Sequence, residues 1–220
     1  MTERAPLWSE AQLLLEPIRL LRSRRALGQA PRGSGPVLVL PGYLTDDRTT
    51  IPLRWWLANR GYEPQGWGLG VNRGGIRSVI PRLVETLDRL GPTALIGWSW
   101  GGVIAREVGR DRPDLVRQLI TLGSPLQGGV GETAFGWRVG AEERDQSRRE
   151  AAAREERPLE VPALSIYTRG DGVVAWTSSR DPMPGRTASL EVASCHCGLV
   201  MNPQVWVAIA EALTDSAGRA

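Results

Sequence analysis

The chain has 220 residues, 41% hydrophobic and 23% charged, the balance of a globular protein with one core and no room for a second independent one. Its formal charge of +3 and pI near 9.4 make no case for a nucleic-acid partner. Every basic residue is Arg, which stays protonated and lifts the pI without implying a strong field, and no aromatic-and-basic motif accompanies it.

The N-terminus lacks a basic stretch leading into an unbroken apolar run with a small-residue cleavage site, and no window reaches the roughly 18 apolar residues of a spanning helix. Between residues 7 and 28, Leu7, Ala11, Leu14, Ile18 and Leu21 form a helical stripe, Ser9 and Gln12 have capping-box spacing, and Pro17 predicts a kink or two short helices. This amphipathic element, spanning residues 1–30, either docks on the domain or lies on a membrane surface, a reading that Arg19, Arg22, Arg24 and Arg25 keep open. Pro31–Pro36 is a linker. Strand is predicted at Val37–Leu40, ending in Pro41-Gly42, then helix from Thr50 to Arg60 with Pro52 in its first turn. Strand follows at Tyr62–Trp67, then a glycine-rich loop, a helix from Ser78 to Leu90, and strand at Thr93–Gly97. Helix Gly101–Gly109 and strands Val116–Leu122, Ala163–Tyr167 and Ser189–Val192 come next, with Pro203–Leu213 as the closing helix. Strand-helix alternation with long connections implies a mostly parallel sheet of about six strands covered on both faces. Residues 125–162 contain a charged helical stretch, Ala141–Arg157, and are too long for a loop and too polar for core, so they read as a cap or lid on a single domain, 1–220.

Gly97-Trp98-Ser99-Trp100-Gly101 lies between a predicted strand and a predicted helix. There the serine sits on a strained turn with its hydroxyl raised above the strand ends, and the glycines let strand and helix approach. The helix N-terminus aims N–H groups at the same point. Serine needs a base to take its proton, and the chain has one imidazole, His196. It follows Ser99 and a candidate acid, Asp171, in the order Ser, Asp, His. Asp171 lies in Gly170-Asp171-Gly172 at the end of a strand, where it either serves the turn alone or also orients the imidazole; Asp181 is the alternative acid. The oxyanion hole is assigned to the N–H of Trp100 and to the turn after the first strand, at Tyr43. Cys195 and Cys197 flank the histidine too closely for a disulfide or a tetrahedral metal site, and they read as packing residues in a reducing compartment, hence a cytoplasmic protein without metal.

At these residues the sequence resembles the α/β-hydrolase superfamily, and more closely its small bacterial lipase/esterase-like members. The resemblance runs from about Val37 to Val207. It rests on Leu40-Pro41-Gly42-Tyr43, the Gly97 elbow, Thr121-Leu122-Gly123-Ser124-Pro125, Asp171-Gly172-Val173-Val174-Ala175-Trp176, and His196 with Gly198-Leu199 and Asn202-Pro203. It implies an α/β-hydrolase fold and an acyl-enzyme mechanism on esters or thioesters, with no cofactor, and the Thr121–Pro125 segment leans toward lipidic acyl chains. Three features depart from it. Pro41-Gly42 replaces a common His-Gly and loses the hydrogen bond that histidine makes. Trp100 is bulkier than the residue that commonly follows the nucleophile. The helix at 7–28 stands where larger relatives have antiparallel strands.

Nine tryptophans against one phenylalanine are an unusual aromatic set. Trp55, Trp56 and Trp206 read as core. Leu44, Trp98, Trp137 and Trp176 are expected at the substrate pocket, and for Trp100 and Trp176 core packing is the equal alternative. Beside hydrolysis of a small-molecule or lipid ester stand two other readings: acyl transfer by the same three residues, and a hydrolase fold kept as a lipid- or protein-binding module.

Overall fold

The computed structural model describes residues 3–134, 140–181 and 187–217. Strands β1 (Pro36–Leu40), β2 (Glu63–Gly66), β3 (Thr93–Trp98), β4 (Val116–Leu122), β5 (Ala163–Tyr167) and β6 (Thr187–Glu191) form one parallel sheet in the order β2-β1-β3-β4-β5-β6. The expected six-stranded parallel sheet is therefore present. Its inner strands β1 and β3 are apolar at successive positions because both faces are covered. Val37 and Val39 of β1 join one core layer with Leu53 and Leu57 of α3 (Ile51–Asn59) and with Val205, Ile209 and Leu213 of α7 (Pro203–Ala217). Leu38 and Leu40, one residue out of phase, join the other layer with Leu83 and Leu87 of α4 (Ile76–Leu90) and with Ile104 and Val108 of α5 (Trp100–Asp111). Helix α4 begins before Ser78, whose hydroxyl donates to the Gly75 carbonyl instead of capping the helix.

From β1 the chain crosses to β2 on one side, then returns past β1 to β3 on the other. The reversal opens a crevice beyond the carboxyl ends of β1 and β3, the place where open parallel sheets bind ligands. Leu40 and Gly97 are register partners at those ends, so the turn after β1 and the turn after β3 emerge side by side.

Several expectations are corrected. Within the expected cap, α6 (Ala141–Glu155) lies on the connection between β4 and β5 and packs against the 3-10 turn Gly129–Glu132. Arg106 of α5 is almost wholly buried and donates to Glu155 and Asp181, while Arg110 pairs with Glu107 and Glu155. Glu155 fastens the C-terminal end of α6 to α5, while Glu142, Asp145, Arg148, Arg149 and Glu150 are exposed as the cap reading expects, and Asp181 is engaged by Arg106 instead of a histidine. Trp137 lies outside the described residues. Trp56 and Trp206 pack with ring centroids 5.5 Å apart, as expected of core, but Trp55 is 69% exposed.

A further correction concerns the N-terminus. It is a 3-10 helix at Leu7–Leu15, then α1 (Glu16–Arg22) and α2 (Arg24–Gln29). The expected apolar stripe faces away from the domain, and the docked face is mixed, with Ser9 and Glu16 buried and Leu20 and Leu27 packed on the core. Ser9 makes no cap; its hydroxyl donates to the Gly170 carbonyl at 2.8 Å. The physical reason is that the underlying surface consists of two loops with unpaired backbone N–H groups, which carboxylates satisfy and aliphatic side chains do not.

Candidate active site

Ser99 stands between β3 and α5 with φ 54° and ψ −125°, a conformation that costs a residue bearing a Cβ on the order of 1–3 kcal/mol. The surrounding packing imposes it. A Cβ on Gly97 would come within 2.3 Å of the Gly102 backbone, and one on Gly101 within 2.5 Å of the Leu40 carbonyl, so the two glycines of the motif are what let strand and helix close over so sharp a bend.

The three polar residues singled out by their order in the sequence meet in space. His196 Nε2 lies 3.0 Å from Ser99 Oγ, and His196 Nδ1 lies 2.8 Å from Asp171 Oδ2. All three are buried. Asp171 Oδ1 accepts from the N–H groups of Val173 and Val174 at 2.9 and 2.7 Å. One carboxylate oxygen thus fixes the turn and the other holds the imidazole, so both readings of the Gly-Asp-Gly segment hold together.

Trp98 is buried beneath the histidine: its indole N–H donates to the His196 carbonyl at 3.1 Å, and the two rings are 5.7 Å apart. It supports the histidine loop and does not form an open pocket wall. Trp176 is likewise engaged, stacked on Tyr167 at 5.9 Å with the Arg169 guanidinium 4.2 Å from its ring centre. It remains half-buried.

The turn after β1 is pressed onto the elbow, with a Cβ on Gly42 falling 3.3 Å from Ser99 Cβ. In that turn the Leu44 N–H donates to the Asn72 carbonyl and the Thr45 N–H to the Gly42 carbonyl. Trp100 opens α5, so its N–H has no acceptor within the helix. Tyr43 and Leu44 are 51% and 61% exposed, and Leu44 has φ 58°. The Trp100 indole N–H donates to the Gly74 carbonyl at 3.0 Å. That places Trp100 on the wall of a cavity of about 730 Å³ between α4 and α6, which Arg77, Glu150 and Arg154 also line. The cavity is mixed in polarity and does not reach Ser99.

Two residues that sequence reasoning missed hold this arrangement. Asn72 is fully buried, and its amide donates to the Pro41 carbonyl at 2.8 Å while its own carbonyl accepts from Leu44. It ties down the turn that lacks the His-Gly pair. Glu10, on the N-terminal 3-10 helix, accepts from Gly172 and His196 through Oε1 at 2.8 and 3.1 Å, and from Cys197 through Oε2 at 2.9 Å. One carboxylate thereby joins the acid loop to the histidine loop. Burial pushes the Glu10 carboxyl up, but the N–H groups of Cys197, Gly172 and His196 and the charge of a protonated His196 outweigh it and leave the group below its ordinary value. Glu16, fully buried, accepts from Ser194, Asn202 and Arg19 behind the same loop. Burial, followed by the Glu10 carboxylate, pushes both thiols up to about 12; Cys195 and Cys197 are free thiols.

No family model and no curated protein matches the sequence. Solved structures match in shape. A monoacylglycerol lipase from Paleococcus ferrophilus is similar with a TM-score of 0.65 and 14% identity over 85% of this chain and 96% of that one. The α/β-hydrolase domain-containing protein 10 from mouse gives 0.62 and 15%, over 86% and 92%. A pyrethroid hydrolase gives 0.57 and 20%, over 84% and 98%.

Proposed function

The chain has the α/β-hydrolase fold, and from that premise we propose that it is a serine hydrolase cleaving carboxylic esters through an acyl-enzyme on Ser99. The observation that carries the reading is the hydrogen-bonded chain Ser99–His196–Asp171, at 3.0 and 2.8 Å, ending on a serine held at positive φ. Fold alone would not suffice, since one fold hosts many functions. The lipase and the pyrethroid hydrolase among its structural neighbours fit the same class.

In this mechanism His196 Nε2 accepts the Ser99 proton as Oγ attacks the ester carbonyl, with Nδ1–H held toward Asp171 so that the free lone pair faces the serine. The carbonyl oxygen takes up the electron pair as an oxyanion beside the N–H of Trp100 and the turn at Tyr43; a donor so placed contributes on the order of 3 kcal/mol in the transition state. Collapse of the tetrahedral adduct expels the alkoxide, which leaves as alcohol with the proton from His196. Water then attacks the acyl-enzyme, His196 takes its proton, and the acid departs as Ser99 recovers its own. No metal or cofactor enters any step.

A panel of p-nitrophenyl esters from acetate to palmitate tests the reading. The wild type should release p-nitrophenol from some member of the panel and Ser99→Ala from none above the uncatalysed rate. Equal rates for the two proteins would end it.

A further inference from the structure

The N-terminal segment is sorted by chemistry in an unusual sense. Its acids turn inward: Glu10 and Glu16 are held by the loops that carry Asp171 and His196. Leu20 and Leu27 pack on the core, but most of its large apolar side chains turn outward, with Leu7 59%, Trp8 78%, Leu14 77%, Leu15 47%, Ile18 52% and Leu21 62% exposed. Arg4, Arg22, Arg24 and Arg25 are exposed on the same segment, and among residues 3–29 Glu3 is the only exposed acid.

Exposing that much aliphatic and indole surface to water is unfavourable, and sites so rich in it mark a contact. A protein partner would be met by apolar surface with or without charge. A rim of arginines around leucine, isoleucine and tryptophan fits the boundary of a bilayer, where aliphatic side chains enter the acyl region, the indole sits at headgroup level, and long cationic side chains reach lipid phosphates. With Glu10 and Glu16 turned into the protein, the outward face presents arginine, so the complementary surface is an anionic one.

We propose that residues 4–25 dock this protein on anionic lipid bilayers, lying in the interface without crossing it. Among the described residues no helix is long and apolar enough to span. The surface adds a partner to the ester-hydrolase reading and rests on it only for its purpose, since docking needs no turnover. The segment that touches lipid is the one whose inner face joins the acid and histidine loops, so the active site would be held at the bilayer by the element that braces it.

Flotation of the full chain with phosphatidylglycerol–phosphatidylcholine vesicles, beside phosphatidylcholine alone, tests the proposal. Using Ser99→Ala as the parent makes the result independent of catalysis, so failed docking and failed hydrolysis are told apart. The parent should float with the anionic vesicles, and raised salt should weaken the association. Leu14→Glu/Ile18→Glu and, separately, Arg22→Glu/Arg24→Glu/Arg25→Glu should each lower partitioning by about tenfold or more, with the thermal unfolding transition confirming that each remains folded. The proposal is overturned if the parent stays with the soluble fraction. It is equally overturned if both variants float like the parent, or if the parent instead forms a dimer that Leu14→Glu/Ile18→Glu dissolves.

Discussion

Replacing Glu10 probes how the active-site loops are held, because one carboxylate receives three backbone N–H groups from two of them. Hydrogen bonds to a charged acceptor contribute about 1.5 kcal/mol each at the low end. Glu10 is only partly buried, so water replaces some of what Ala removes, and Glu10→Ala should cost about 2 kcal/mol of stability. Glu10→Gln keeps one acceptor oxygen for Gly172 and His196 but turns an amide donor toward the Cys197 N–H, so it should lose about half of that. Because the folded protein holds the carboxyl below its ordinary value, the folded state binds this proton less readily than the unfolded chain. The stabilisation is complete above the ordinary carboxylate range and drains away as pH falls through the lower folded value. Urea unfolding from neutral to acidic pH should show wild type losing this increment at acid pH while Glu10→Gln lacks it. Hydrolysis should lose kcat more than KM, by on the order of tenfold, as His196 loses its fixed position. Wild-type stability, acid response and kcat in Glu10→Ala would refute the reasoning.

Asn72→Ala removes the amide that holds the Pro41 carbonyl. It should lower kcat by about tenfold or more with a smaller change in KM, as a loosened oxyanion turn requires; steady-state kinetics on a soluble ester decides. Arg106→Ala takes the guanidinium away from Asp181 and Glu155 and should cost about 3–5 kcal/mol in denaturant unfolding, more than any exposed arginine. Cys195 and Cys197, with thiols pushed up to about 12, should resist iodoacetamide in the native protein at neutral pH and react once unfolded, as read by peptide mass spectrometry.

What the sequence reveals and what it hides divide along a physical line. The elbow is legible because its demands are local: two glycines and a serine between an apolar strand and a helix describe one strained turn. His196 is legible because it has no competitor, and Asp171 because the order of the three residues and a turn motif select it. The strands β1 and β3 announce themselves by the unbroken apolar runs Val37–Leu40 and Ala94–Ile96, which both-sided burial demands. Hydrophobic periodicity is weaker evidence than it looks at the N-terminus. It tells that Leu14, Ile18 and Leu21 share a side but not which way that side turns, since the outcome was decided by unpaired N–H groups more than 150 residues away. Glu10 and Asn72 carry no local signature at all. Their roles arise from distant backbone atoms. The partners of the tryptophans are equally distant from any local pattern: the Trp98 indole donates to the His196 carbonyl, and Trp176 stacks on Tyr167 with Arg169 near its ring.

Everything in the proposed chemistry depends on His196 making the Ser99 oxygen a nucleophile. That dependence is measured most directly by peptide mass spectrometry of the protein after treatment with a fluorophosphonate. A single phosphonyl adduct is expected on the Ser99 peptide, absent from Ser99→Ala and formed several orders of magnitude more slowly in His196→Ala. An adduct elsewhere, or one forming on Ser99 at the same rate without the imidazole, would contradict it.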